Sequence, residues 1–594
     1  MEETKKKDMR GVFRTLLREV KDYKTASILT PLCMIGEVIV ETLIPYLMAS
    51  IIDDGVNKGN MSHIYLIGLA MIGLALAGLL FGVGGGHFGA RASTGFARNL
   101  RRAMFHNIQT YSFSNIDRFS TSGLVTRLTT DVTNVQNAYQ MVLRMLIRAP
   151  FSMIVAMIMA FIISPKIAFI YLAAVIFLAV VIFFLMGRAT KYFKRVFKQY
   201  DALNESVQEN VSAIRVVKAY VREEYENSRF AKAACNVYNM FVQAEKIVVS
   251  NLPIMSGTIY TVILSIAVVG AHLIVQNELT TGNLSSLMAY CMSILASLMM
   301  LAMVFVMISM STASAERIAE VIEEKTDIPN PEDGITIVPD GRVDFDHVNF
   351  SYSKNGEWVL RDIDLHIRSG EVIGVLGGTG SSKSSLVNLL SRLYDVQEGS
   401  VKIGGIDVRE YDIPSLRHEV AVVLQKNVLF SGTILDNLRW GKKDATEAEC
   451  IAACRMACAD EFIEKMPDKY NTWIEQGGTN VSGGQRQRLC IARALLMSPK
   501  ILILDDSTSA VDTATDAKIQ AAMKAAIPGT TKFIISQRIS SVEHADRIIV
   551  LDEGKVSGFG TPEELLATNH IYQEVYETQK GGTGDFDMKG GVKA

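Results

Sequence analysis

The sequence predicts a protein of two halves, a six-helix membrane α-helical half followed by a soluble α/β half built on a phosphate loop. Three observations predict it. Every long apolar run falls within the first 320 residues, β-branched runs alternate with helical stretches from Gly341 onward, and a glycine-rich loop joins one of those runs to a helix. The composition agrees: 49% of the 594 residues are hydrophobic and 21% charged, and the mean hydropathy is +0.21, too apolar for an ordinary soluble enzyme or a disordered chain. With 60 basic and 62 acidic residues the net charge is −2, which gives no global signature of a nucleic-acid partner. The 7 cysteines are scattered rather than clustered, which fits a reducing compartment and no disulfide framework.

A span needs about 20 residues at 1.5 Å each to cross roughly 30 Å of hydrocarbon. Six runs qualify: 26–52, 65–86, 141–163, 167–186, 247–275 and 284–310. Each must be helical, because a bilayer leaves the backbone no partner but itself. An even count puts both ends on one side. The basic start, with Lys5, Lys6, Lys7, Arg10, Arg14 and Arg18, assigns that side to the cytoplasm of a multi-pass cell-membrane protein. The first run is too long for a signal-peptide core and is expected to be retained, and residues 11–24 read as an amphipathic interfacial helix. The internal loops 87–140 and 187–246 are polar and helix-forming, so spans two to five continue beyond the membrane. The turn regions at 114–123 and 210–220 are suited to short transverse helices, or serve merely as connectors. The expected domains are 1–25, a basic interfacial segment; 26–320, the membrane domain; 321–341, a linker marked by Pro329 and Pro331; 342–578, the α/β domain; and 579–594, a disordered tail.

Within the soluble half the apolar strand 372–376 runs into Gly377, Gly378, Thr379, Gly380, Ser381, Ser382, Lys383 and Ser384, followed by a helix that begins with Ser385. Glycines let backbone N–H groups turn inward around phosphates, the helix offers its positive end, Lys383 reaches the terminal phosphates and Ser384 is placed to ligate Mg²⁺. Ser382 stands where the motif has its second fixed glycine, so a Cβ there strains the loop or crowds a phosphate. A second strand, 501–504, ends in Asp505 and Asp506, with Asp505 placed to hold Mg²⁺ through water. Ser482, Gly483, Gly484 and Gln485 open a further helix, a second anion-binding terminus. One nucleotide needs one phosphate loop. Two nucleotides shared head to tail by two chains explain the extra terminus.

Together these motifs resemble the nucleotide-binding domain of an ATP-binding-cassette (ABC) transporter, and with six spans ahead of it the chain resembles an ABC half-transporter of the exporter type. The resemblance implies bound ATP and Mg²⁺, drug-like or lipid-like amphiphiles as cargo, membrane lipid around the spans and a second half-transporter as partner. It also implies that Tyr352 stacks on adenine, that Gln425 senses Mg²⁺ and the membrane domain, that Asp512 makes the dimer contact, and that the two internal turns are coupling helices. Two positions depart from the family. Asp506 stands in place of the catalytic glutamate, and an aspartate retracts the carboxylate by roughly 1–1.5 Å when a general base must lie within about 2.6–3.2 Å of its proton. Gln537 replaces the switch histidine, and a neutral amide cannot share protonic charge with the transition state. Hydrolysis in this chain's own site is therefore expected to be weak and binding intact, while its Ser482–Gly484 element completes the site of a partner that retains both groups. A slowly hydrolysing homodimer and a nucleotide-gated regulator or channel are the alternatives.

In the membrane half Glu37 and Glu41 lie at i, i+4 and face one side; they attract cations, carry protons, or pair with Arg144 or Arg148. Met288, Met292, Met299, Met303 and Met310 form one stripe, for a promiscuous cavity or for packing. Residues 84–89 match G-x-G-x-x-G but end a span, which favours close helix packing over a dinucleotide site. Cys450, Cys454 and Cys458 lack a nearby fourth metal ligand and read as a buried helix face.

Overall fold

The computed structural model describes residues 9–353, 356–506 and 511–580, and the chain divides into two compact units. The first holds everything described up to Thr110 together with Ser120–Glu324; the second holds Tyr111–Phe119 and everything described from Lys325.

In the first unit α1 (Met9–Arg18) is followed by a 3-10 turn at Lys21–Tyr23 and then by α2 (Lys24–Ser50) and α3 (Met61–Gln109). The expected helix over 11–24 therefore stops at Arg18, where the chain turns with Lys21 at φ +40° before entering the span. Between the units' boundaries lies α4 (Phe113–Phe119), and the third span is continuous over Thr121–Ile163, here α5. Two π-helical segments interrupt its regular winding, Arg127–Asp131 and Val142–Leu146. The remaining helices are α6 (Pro165–Ser212), α7 (Ile214–Ala219), α8 (Glu223–Val249), α9 (Asn251–Val275) and α10 (Thr281–Glu323). Among the described residues 6 helices are long and apolar enough to cross a membrane. The fifth is shorter than its apolar run, since Pro253 has no N–H to donate and the helix restarts at Asn251.

Glycines set the spacing of α2 and α3. A Cβ on Gly85 would sit 2.2 Å from Met34 Cε, one on Gly84 3.3 Å from Cys33 Sγ and one on Gly89 3.3 Å from Thr30 Cγ2, so the glycine cluster at 84–89 serves close helix approach. At the start of α10, Asp53 Oδ1 accepts from Gly282 N at 2.9 Å, capping an N–H that would otherwise go unpaired, and its Oδ2 accepts from the Thr280 hydroxyl at 2.5 Å. Further along, the buried Asp131 carboxylate receives Arg317 Nε at 2.7 Å and Ser314 Oγ at 2.9 Å, tying α5 to α10.

The second unit carries two main sheets. One is antiparallel, in the order β2-β1-β4-β5, from β1 (Val343–Phe350), β2 (Leu360–Ile367), β4 (Glu398–Ile403) and β5 (Ile406–Asp407). The other has 6 strands. It contains β3 (Val372–Leu376), β6 (Val420–Val423), β7 (Ile501–Asp505), β8 (Thr531–Ile535), β9 (Arg547–Asp552) and β10 (Lys555–Gly560), ordered β10-β9-β3-β8-β7-β6. All its pairings are parallel except β9 with β10. The strands β7 and β8 are buried at every position; β7 reads as an apolar run up to Asp505, whereas β8 opens with Thr531 and Lys532, whose hydroxyl and ammonium donate to Gly341 O and to Ile527 O and Thr530 O. The helices that matter for the site are α11 (Lys383–Asn388), α12 (Glu447–Met456), α13 (Gly483–Leu495), α14 (Thr513–Ala526) and α15 (His570–Lys580). Cys450 and Cys454 of α12 are fully buried in the core beside α13, with Cys458 partly buried against it, as expected of a packing face.

Candidate nucleotide site

The carboxyl ends of β3, β7 and β8 lie side by side in the parallel sheet, and the loops leaving them enclose a cavity of about 310 Å³. Its lining residues are Thr379, Gly380, Ser382, Lys383, Ser384, Ser385, Gln425, Asp505, Asp506, Ile535, Ser536 and Gln537. A crevice at strand carboxyl ends is where a doubly wound sheet takes its ligand. Most of the residues expected from the sequence to work on phosphate thus come together.

The loop after β3 closes tightly on itself. A Cβ on Gly377 would fall 2.4 Å from both Leu551 O and Ser381 Oγ, while Gly380 adopts φ +86° with open space where a Cβ would be. Lys383 Nζ donates to Gly377 O and Gly378 O, both at 2.8 Å. Its ammonium is thereby held over the loop, at the mouth of the helix that begins with it. Such a cradle, with a positive charge and the N-terminus of α11, fits a polyphosphate. Ser382 is the exception to the loop's design. It occupies the left-handed region at φ +74°, ψ +24°, where a glycine is unstrained and an L-residue costs about 1–2 kcal/mol.

Across the cavity Asp505 ends β7, buried, and accepts a hydrogen bond from the Ser384 hydroxyl. Burial pushes its carboxyl above the ordinary range, partly offset by that hydrogen bond. A carboxylate and a hydroxyl so joined are hard oxygen donors of the kind Mg²⁺ takes, usually beside substrate phosphate and water. Asp506 follows at φ +46°, a conformation aspartate tolerates better than most side chains, with its N–H donating to Ile535 O at 3.0 Å. Burial raises its pKa too, opposed by Gln425 Nε2, which approaches Oδ2 at 3.5 Å. Gln537 stands on the β8 wall, and its carbonyl accepts from Gln579 Nε2 at 2.8 Å. Gln579 Oε1 in turn accepts from Ile539 N at 2.8 Å. The sequence assigns Gln579 to a disordered tail starting at 579; α15 instead runs to Lys580, and this glutamine fastens the loop after β8. The rest of that expected tail, 581–594, lies outside the described residues.

At the rim of the cavity Tyr352 is half-exposed and its hydroxyl lies 2.8 Å from Ser385 Oγ. Its ring meets Phe350 and Tyr394 edge-on, each at 4.9 Å. Sequence reasoning missed Tyr394, which carries no motif; only an aromatic in the stretch after α11 marks it. Ser482, Gly483, Gly484 and Gln485 do not line the cavity. They form the start of α13 as a reciprocal cap, Ser482 Oγ accepting from Gln485 N at 3.3 Å and Gln485 Oε1 from Ser482 N at 2.9 Å. Asp512 caps α14; the Thr515 hydroxyl and Thr515 N, the latter at 2.9 Å, both donate to it and hold its carboxyl below the ordinary range. Ser509 and Ala510, the first residues of the expected dimer-contact loop, lie outside the described residues.

Two family models match the chain. The ABC transporter transmembrane region covers residues 27–314 and the ABC transporter domain residues 360–509. The uncharacterised ABC transporter ATP-binding protein YfiB of Bacillus subtilis is 35% identical over 565 residues, 95% of this chain and 98% of that one. The probable multidrug resistance ABC transporter ATP-binding/permease protein YheI of Bacillus subtilis is 33% identical over 495 residues, 82% of this chain and 84% of its own length. Among solved structures, a bacterial Atm1-family ABC exporter with ATP bound superposes with a TM-score of 0.81 at 23% identity, covering 94% of this chain and 99% of that one. A transmembrane region, a phosphate cradle on a parallel sheet and full-length relatives of one kind agree: the chain belongs to the ABC transporters, as a half-transporter that joins six spans to an ATP-hydrolysing domain on one polypeptide.

Proposed function

We propose that this chain is one half of a heterodimeric exporter that moves amphiphilic, drug-like or lipid-like molecules out across the cell membrane, with both termini in the cytoplasm. The observation that carries the division of labour is the cavity's hydrolytic wall. Asp506 and Gln537, which stand in place of the family's glutamate and histidine, line it together. The shorter carboxylate of Asp506 has Gln425 as its neighbour, and the neutral amide of Gln537 offers no positive charge to a transition state.

ATP with Mg²⁺ supplies the attraction that closes two such domains and the phosphoanhydride cleavage that lets them reopen. In this reading Thr379, Gly380, Ser381 and Ser382 wrap the phosphates, Lys383 neutralises them, Ser384 and Asp505 hold Mg²⁺ with Gln425 beside it, Ser385 takes the inner phosphate and Tyr352 stacks on the base. Ser482, Gly483, Gly484 and Gln485 face the partner chain's nucleotide. Their absence from this chain's own cavity supports that assignment. The amphiphilic cargo rests on YheI, whose name records multidrug resistance, and on the methionine row of α10, where Met292, Met299, Met303 and Met310 are all exposed in the single chain.

The test is the ATPase of the assembled pair in lipid. Replacing Ser482 and Gly483 is expected to abolish it, while Asp506→Asn changes it little. The opposite ranking, or brisk hydrolysis and transport by this chain alone, would overturn the reading.

A further inference from the structure

The amino-terminal helix has a face whose use neither the fold nor the nucleotide site explains. In α1, Val12 and Leu16 are buried, as is Val20 just beyond it, and Thr15 hydrogen-bonds Glu323 at the end of α10. These contacts fix the rotation of α1 and leave Met9, Phe13 and Leu17 exposed at 39%, 45% and 55%. At about 100° per residue the exposed trio covers an arc of roughly 80°, bordered on one side by the buried pair and on the other by Arg10, Arg14 and Arg18.

Chain continuity says where this face lies. Only the turn Lys21–Tyr23 separates α1 from the residues that enter the first span, so the apolar arc sits at the level where headgroups meet acyl chains. Three exposed apolar side chains in water would be a liability, whereas among lipid carbons they are stabilised. The charges beside them are of one sign. Arg14 and Arg18 are exposed and make no ion pair among the described residues, and the nearest acidic group in sequence, Glu19, is taken by Lys21 at 2.7 Å. Guanidinium groups one turn apart, at the edge of an apolar stripe, match the phosphate of a lipid whose chains lie under that stripe.

We propose that α1 is a binding site for anionic phospholipid, with Met9, Phe13 and Leu17 among the acyl chains and Arg14 and Arg18 on the headgroup phosphate, and that it selects anionic over zwitterionic lipid. A zwitterionic headgroup carries its own cation and gains less from two arginines. The expected preference is up to about fivefold per arginine near the surface.

The experiment uses the full chain bearing Phe13→Trp in vesicles that contain brominated phosphatidylglycerol or brominated phosphatidylcholine at equal mole fraction. The parent, carrying only Trp358, Trp440 and Trp473, gives the background. The new tryptophan is expected to be quenched by both lipids and severalfold more by the anionic one. Adding Arg14→Gln and Arg18→Gln should remove that preference while quenching by phosphatidylcholine persists, and Arg14→Lys with Arg18→Lys should keep it. Equal quenching by the two lipids, quenching by neither, or a preference that survives the glutamine variants overturns the proposal.

Discussion

Tyr394 donates its hydroxyl to Asp117 Oδ2 at 3.0 Å while its ring packs edge-on to Tyr352. Asp117 belongs to α4, which interrupts the membrane half in sequence yet falls in the same compact unit as the nucleotide site. Phe113 of α4 also meets the Tyr394 ring, at 6.1 Å between centroids. The tyrosine at the cavity rim and a segment covalently continuous with two spans are therefore one contact apart. Tyr394→Phe keeps the ring and removes only a hydrogen bond to a carboxylate, worth about 1.5–3 kcal/mol. Nucleotide binding is expected to stay within about twofold, while stimulation of ATPase by transported substrate is lost; unchanged stimulation in reconstituted vesicles would contradict the coupling role.

Ser382→Gly relieves a left-handed serine. The substitution is expected to stabilise the ATP domain by about 1 kcal/mol and to tighten nucleotide binding, because the loop no longer carries strain into the bound state. Thermal unfolding with and without nucleotide reads both effects. Ser382→Val, with a branched Cβ at the same φ, should move both in the other direction.

Restoring the family's residues is the complementary gain-of-function test. Asp506→Glu extends the carboxylate by one methylene and Gln537→His returns a protonatable ring to the same wall. A positioned base contributes about 10²–10⁴-fold, so the double variant should raise turnover at this chain's own site by about a hundredfold, measured with the partner's site disabled. Each single variant should recover less, since both positions line one cavity.

The thiols offer a structural check. Cys450 and Cys454 are buried, and burial pushes the Cys454 thiol up to about 12, so it remains protonated and unreactive in the folded protein. A maleimide reagent at neutral pH should label the exposed Cys235 quickly and these two only after unfolding. Zinc added to the folded protein should leave the pattern unchanged.

In the membrane unit Arg148 lies 2.9 Å from Glu41 Oε2 and 3.6 Å from Glu37 Oε1. The pairing alternative for the two glutamates is thus the one the structure adopts, with Arg148 rather than Arg144 as the partner. Arg148→Ala strands two carboxylates, Glu37 the less exposed of them, and should lower stability in detergent by about 1 kcal/mol. Adding Glu37→Gln and Glu41→Gln should return most of it.

The parts of this protein that could be read from its sequence are those where one local pattern serves one purpose. The run that became β7 is apolar from Ile501 to Leu504 because both faces are covered, and the phosphate loop gathers Gly377, Gly378 and Gly380 directly after β3. Long-range partners are different. Nothing near Tyr394 announces Asp117, 277 positions away, and nothing near Asp131 announces Arg317, 186 positions away. Helix ends were not legible from the apolar runs: the helices that begin at Asn251 and Thr281 start away from the expected 247 and 284, beside Pro253 and the Thr280 cap, and the stop at Arg18 has no such mark.

Gln579 sits one residue from the end of the described chain, and its amide grips the strand-exit loop that carries Gln537 from both sides. Position 579 is therefore a poor place to truncate the chain or to exchange a side chain when the wall that carries Gln537 is under study. Losing that last helical turn would free the loop that lines the cavity, and kinetic comparisons between variants are safer with residues 570–580 left intact.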